Sequence, residues 1–307
     1  MKKMFFALTL LTLISLGSTV LAQAPDTNAF LFGDPRPDAP VLAPRGDYGV
    51  GVRTLAVVNP DQFDVVNYTA DNPDPRYDRP LTLEIWYPAV IPAGEAAVAE
   101  YTDVHGRADD PSRTISPFTF WGRAKRDAAP DLSGGAYPLV IVSHGFPGSR
   151  FMMTYLTENL ASKGYVVVAI DHTDSTFSDT KTFASTLLNR PLDILFVLNQ
   201  MAAMGAADSD SFLAGLVDAD HTALVGYSMG GYGSLNAAGA GFSPDAAGFF
   251  GYISGGSTAI ASRLAGAPEL TASLDSRIKA VVAFAPWGMN YNLWAADGLA
   301  GLNVPLL

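Results

Sequence analysis

The run Gly226-Tyr227-Ser228-Met229-Gly230-Gly231-Tyr232-Gly233, entered from the apolar stretch 222–226, constrains this chain more than any other feature. A short β-branched run followed by small residues around a serine reads as a strand turning sharply into a helix. Such a turn lifts the serine hydroxyl beyond the sheet. Its bent backbone leaves no room for Cβ atoms at the flanking positions, which is why Gly226 and Gly230 stand there. Three more runs, 139–143, 165–170 and 278–284, are nearly continuous and β-branched, as strands buried on both faces are. Between the runs, 152–163 closed by Gly164, 191–204 with Pro191 in the first turn, and the segment after Ser228 predict helices. The alternation predicts an α/β fold, a mostly parallel sheet with helices on both faces, whose functional loops follow the carboxyl ends of the strands.

Ahead of these runs, 50–58 reads as a strand ending in a turn at Asn59-Pro60-Asp61, and 81–87 alternates like a half-buried strand. The two are expected to pair as an antiparallel edge. Residues 88–137 are rich in Ala, Pro, Gly and charge, which predicts an irregular excursion with one short helix. Residues 1–22, MKKMFFALTLLTLISLGSTVLA, have the lysines, short apolar run and small-residue end of a signal peptide cleaved after Ala22. An N-terminal extension, 23–49, and a single domain, 50–307, follow. The chain is expected in the periplasm or medium, with no stable membrane anchor after cleavage.

Composition narrows the chemistry. With no cysteine there is no thiolate nucleophile, no disulfide and no Cys-based metal site, and four histidines leave little for metals. A net charge of −11 repels phosphate backbones and anionic membrane surfaces, so nucleic acid is not an expected partner and neutral substrates are.

Two strand ends carry chemistry. Ser228 is a nucleophile candidate, and the Met229 N–H at the following helix start is placed to donate to a developing oxyanion. The second is Ser143-His144-Gly145-Phe146-Pro147, where the Phe146 N–H supplies a second oxyanion donor and His144 braces the loop rather than acting as base. A third strand end, Asp171-His172-Thr173-Asp174, resembles a metal-ligand run. Adjacent residues of an extended segment point to opposite sides, however, so His172 is expected to line the pocket wall, without metal. Arg190 and Asp193 are expected to form a structural ion pair. Trp287 is a candidate for the pocket wall, with ordinary core packing as the alternative.

Residues 138–150 (PLVIVSHGFPGSR), 164–177 (GYVVVAIDHTDSTF), the Arg190-Pro191-x-Asp193 helix and 226–233 together resemble the α/β-hydrolase superfamily. More narrowly they resemble its bacterial predicted dienelactone hydrolase and platelet-activating-factor acetylhydrolase branch. The resemblance implies carboxylic-ester hydrolysis by a Ser-His-Asp triad without cofactor, on a small-molecule, lipid or polymer ester, with Ser228 as nucleophile and Phe146 and Met229 as the oxyanion hole. In that superfamily the acid and the histidine follow the serine. Here His105, His144, His172 and His221 all precede Ser228, and of the later acids Asp297 is the triad candidate. Residues 303–307 read as the opening of another buried strand. The fold is therefore expected to be incomplete at its C-terminus, with base and acid beyond Leu307 and little activity in this chain. A cutinase-like polyester hydrolase, a non-catalytic ester-binding protein, and a peptidase or acyltransferase are the alternatives to a general serine esterase.

Overall fold

The structure, a computed structural model, describes residues 29–31, 33–295 and 297–307. The signal peptide read at 1–22 lies outside them. Strands β1 (Gly49–Phe63) and β2 (Arg76–Val90) pair antiparallel, Val50 opposite Pro88 and Val57 opposite Leu81. The turn expected at 59–61 is instead a bulge: β1 continues through it, the register slips between Asn59 and Gln62, and Asp61 takes a φ of 54°. A break in the ladder is where a strand tolerates proline, since Pro60 has no N–H to pair.

The stretch 88–137 also departs from expectation, for it holds strands and no helix. Strands β3 (Ala99–His105) and β4 (Ser116–Gly122) form a separate antiparallel ribbon, while β5 (Lys125–Arg126) and β6 (Ala129–Pro130) pair with β1 and β2. The ribbon is held by aromatics at period two. Phe118 and Phe120 of β4 lie beside His105 and Tyr101 of β3, and Tyr101 and Phe120 both meet Phe151. Alanine and proline around these rings hid the pattern in the sequence.

The remainder alternates as expected: β7 (Tyr137–Ser143), α1 (Thr154–Ser162), β8 (Val166–Asp171), α2 (Phe183–Gly205), β9 (Val217–Tyr227), α3 (Met229–Ala237), α4 (Pro244–Ile253), α5 (Pro268–Ala272) and β10 (Ile278–Phe284). The sheet order is β10-β9-β7-β8-β2-β1-β5, parallel from β10 to β8 and antiparallel at β2 and β1. Residues 305–307 run parallel beside β10, with Val281 N–H on Pro305 O at 2.9 Å and Ala283 N–H on Leu307 O at 2.8 Å, the strand opening read at 303–307. Along β7, Leu139 and Ile141 face one layer, where α2 and α3 contribute Leu187, Ile194 and Tyr232. Val140 and Val142 face the other, with Phe151, Met153 and Ala161 of the α1 segment. Two-sided burial is what the continuous apolar runs required.

Helix α2 starts well before Pro191, at Phe183, where Thr182 Oγ1 accepts from Ala184 N–H at 3.4 Å, so Pro191 is interior rather than in the first turn. An interior proline orphans the carbonyl four residues back. That carbonyl, Leu187 O, accepts from Tyr232 Oη of α3 at 2.7 Å. The compensation comes from a residue 45 positions away, which is why the local pattern gave no sign of it.

Candidate active site

Ser228 caps the junction of β9 and α3 with φ 53° and ψ −114°, a conformation that β-carbon-bearing residues rarely adopt. The neighbours enforce it. Ser228 N–H donates to Phe284 O at 2.9 Å, and Ser228 O accepts from Tyr232 and Trp287 N–H at 3.0 and 3.1 Å. A Cβ at Gly226 would lie 2.1 Å from Gly230 O, and one at Gly230 only 1.8 Å from Ser143 O, so the elbow and the end of β7 are in contact only because both residues are glycine. The Met229 and Phe146 amides make no hydrogen bond to any described residue. Free N–H donors on the loop after β7 and at the first residue of α3 are what an oxyanion hole requires.

Beneath this surface lies a buried polar network. His172 Nδ1 is 2.9 Å from Asp193 Oδ2 and its Nε2 is 2.9 Å from Ser143 Oγ, so Nδ1–H donates to the carboxylate and Nε2 accepts from the hydroxyl. This is a serine, histidine, aspartate chain, yet Ser143, His172 and Asp193 are all wholly buried. No substrate reaches it. His144 Nε2 accepts from His172 N–H at 3.3 Å, which leaves the proton on Nδ1 to donate to Gly145 O at 2.6 Å. Burial draws the His172 pKa down to about 4 and His144 well below its ordinary value, so both are neutral at pH 7. His144 therefore braces the loop. His172 does not line the pocket wall as expected, because it has no exposed surface.

The expected Arg190–Asp193 pair is not formed. Asp193 takes both Nε and Nη2 of Arg79, at 2.8 and 3.0 Å, while Arg79 Nη1 also reaches Asp174 at 3.1 Å. Arg79, on β2, gave no local signal in the sequence. Arg190 turns the other way, with Nη2 on Gly145 O and Ser175 Oγ, both at 2.8 Å, and Nη1 on His144 O. Burial pulls the Arg190 guanidinium down to about 9, which still leaves it charged at neutral pH. Asp171 bonds Arg150 N–H at 2.6 Å and pairs with the Arg150 side chain. Among the described residues no group of three or more His, Asp or Glu side chains is placed to hold a metal ion.

Trp287 is half-buried and belongs to a row of rings. Phe146 meets Phe183 at 5.2 Å, Phe183 meets Trp287 at 5.1 Å, and Trp287 stacks on Tyr291 at 5.0 Å. Phe183 and Tyr291 have no sequence signature that would have marked them. None of the four histidines bonds to Ser228: His105 stacks on Phe118 and His221 bonds Asp218, both exposed, while the other two are in the network. Asp297 is exposed and its carboxylate is joined to no histidine.

The antiparallel β1–β2 edge, the crossed order of β8, β7 and β9, and the sharp β9–Ser228–α3 turn make this the α/β-hydrolase fold. A family model described as PETase, PET hydrolase-like, matches residues 95–247. Cutinase est1 of Thermobifida alba is 30% identical over 158 residues, 47% of this chain and 49% of the relative. The bis(hydroxyethyl) terephthalate hydrolase of Streptomyces coelicolor is 30% identical over 106 residues, 34% of this chain and 30% of the relative. The matched part thus spans about half of the first of these relatives and less of the second. A ferulic acid esterase from Streptomyces cinnamoneus superposes with a TM-score of 0.50 at 21% identity, covering 88% of this chain and 66% of that one, a likeness of fold. These matches support an α/β-hydrolase of the esterase kind, without singling out the dienelactone hydrolase and acetylhydrolase branch. No helix among the described residues is long and apolar enough to cross a membrane.

Proposed function

We propose that this chain is a serine hydrolase of carboxylic esters, exported and requiring no cofactor. The observation that carries the reading is the strained Ser228, with the free Phe146 amide on the loop after β7 and the free Met229 amide at the start of α3. Ser228 Oγ adds to the ester carbonyl as its proton leaves to a base. The two N–H groups hold the oxyanion, and collapse, with the base returning that proton to the departing oxygen, expels the alcohol to leave an acyl-enzyme that water hydrolyses. The base is none of the four histidines as they are placed here. Gly226 and Gly230 serve the elbow, and the row from Phe146 to Tyr291, anchored by the Trp287 main-chain N–H on Ser228 O, forms an apolar wall beside the nucleophile. Such a wall favours esters with an aromatic or bulky apolar group, the cutinase-like form of the proposal. The domain assignment, with 50–307 as the hydrolase, is part of the same reading.

The test is labelling of the full chain with a fluorophosphonate probe, followed by peptide mass mapping. One adduct on Ser228 is expected, absent in Ser228→Ala. Added imidazole is expected to speed it, since no histidine of the chain bonds to Ser228 Oγ. A folded chain that takes no adduct with or without imidazole returns the non-catalytic ester-binding reading.

A further inference from the structure

Arg190 is wholly buried, and the acid three residues on is committed elsewhere, to Arg79 and His172. Its Nε has no hydrogen-bond partner. The Arg190 Nη1 and Nη2 go instead to the carbonyls of His144 and Gly145 and to the Ser143 and Ser175 hydroxyls, all neutral acceptors, and Nη2 also lies 3.4 Å from Nδ1 of the neutral His144 ring. A buried cation without a paired carboxylate is costly, and neutral donors would satisfy two carbonyls and two hydroxyls at less cost. The position of the charge gives a reason to keep it.

Gly145 O belongs to the same peptide unit as Phe146 N. In a planar trans peptide the C=O and N–H point in opposite directions, so a group that grips the oxygen from beneath aims the N–H away from itself. Gly145 O receives Arg190 Nη2 at 2.8 Å and His144 Nδ1–H at 2.6 Å. Donation to the oxygen draws electron density through the amide resonance and makes the N–H a stronger donor, more so when the donor is charged. Ser143 locks the arrangement, accepting from Arg190 Nη1 at 3.3 Å while donating to His172.

We propose that Arg190 is a positioning residue for ester cleavage: through the Gly145 carbonyl it orients and polarises the Gly145–Phe146 peptide, whose N–H is an oxyanion donor. This rests on the reading of Ser228 and Phe146 above. The negative charge that answers Arg190 is then the one that forms at the oxyanion during reaction, so its contribution is larger in the transition state than in the ground state.

The test uses the full chain with Arg190→Lys, Arg190→Gln and Arg190→Met, each checked for cooperative melting, with imidazole present throughout. The first measurement is the rate of Ser228 phosphonylation, resolved into the saturating rate and the probe concentration for half-saturation. The neutral variants are expected to lose roughly ten- to a hundredfold in saturating rate, less than the loss of a whole oxyanion donor, at nearly constant half-saturation, with lysine intermediate. The second is the amide ¹⁵N resonance of Phe146 in chain labelled at phenylalanine, which is expected to move upfield in Gln and Met and partly return in Lys. Either neutral variant that melts cooperatively serves. A neutral variant that labels at the wild-type rate, or a Phe146 resonance that does not move, overturns the proposal. If the wild-type chain takes no phosphonate, the esterase reading fails and the Phe146 resonance alone decides whether Arg190 polarises the peptide.

Discussion

Ser228 is held where a side chain costs energy. Its φ of 53° and ψ of −114° suit glycine, and a residue with a Cβ there carries strain of about 1–3 kcal/mol, maintained by the three backbone hydrogen bonds around it. Ser228→Gly is therefore expected to raise stability by about 1 kcal/mol, part of that strain being offset by the entropy a glycine adds to the unfolded chain. It also abolishes phosphonylation. Urea denaturation of the two proteins checks the first effect, and an unchanged or lower midpoint in the glycine variant would mean that the elbow is not strained. The turn at Ser228 and its glycines were readable in the sequence because the constraint is local, a turn too tight for Cβ atoms. The direction of Arg190 was not. Three residues apart on a helix, Arg190 and Asp193 are spaced to pair, but each finds a better partner across the interior, on β2 or on the loop after β7.

At the scale of the element, α2 carries a proline that its own hydrogen bonds cannot accommodate. Tyr232 Oη on Leu187 O supplies the missing donor from α3. Tyr232→Phe leaves that buried carbonyl unpaired, an expected loss of about 1–3 kcal/mol. Pro191→Ala restores an N–H that can reach Leu187 O, so the cost of Tyr232→Phe is expected to shrink in its presence. A double-mutant cycle measured by chemical denaturation reads this coupling, and additive losses would show that the hydroxyl is not replacing the proline's missing donor. The same separation explains which elements were legible. Strands β7 and β8 announced themselves by composition, since burial on both faces favours apolar residues, and β9 and β10 by their apolar stretches 222–226 and 280–284. The start of α2 and the β3–β4 ribbon depended on contacts made in three dimensions, with α3 and with Phe151.

At the scale of the whole molecule, the network under the site ties global stability to pH. His172 has a folded pKa of about 4 against 6.5 in the unfolded chain, because burial disfavours the imidazolium. Between those values the unfolded chain binds a proton that the folded chain declines, so stability falls as pH falls. The stability is fully present above 6.5 and lost by about pH 4, and a shift of this size corresponds to about 3 kcal/mol. His144, lowered well below its ordinary value, and Asp193, lowered by Arg79 and His172 against the burial that raises it, act in the same direction. Urea midpoints at pH 7.5, 5.5 and 4.5 are expected to drop in that order, and a flat profile would show that neither histidine is held neutral. The sequence by itself determined the layered α/β plan, the antiparallel edge, the tight turn at Ser228 and the two strand ends that meet there, because periodicity and tight turns are written in neighbouring residues. Only the tertiary structure decided which buried charged and polar groups meet: Arg79 with Asp193, Arg190 with the Gly145 carbonyl, and His172 with Ser143, pairs separated by 29 to 114 positions. Such partners are chosen by burial, where each charged or polar group must be satisfied by whatever the fold brings beside it, and spacing along the chain does not specify that choice.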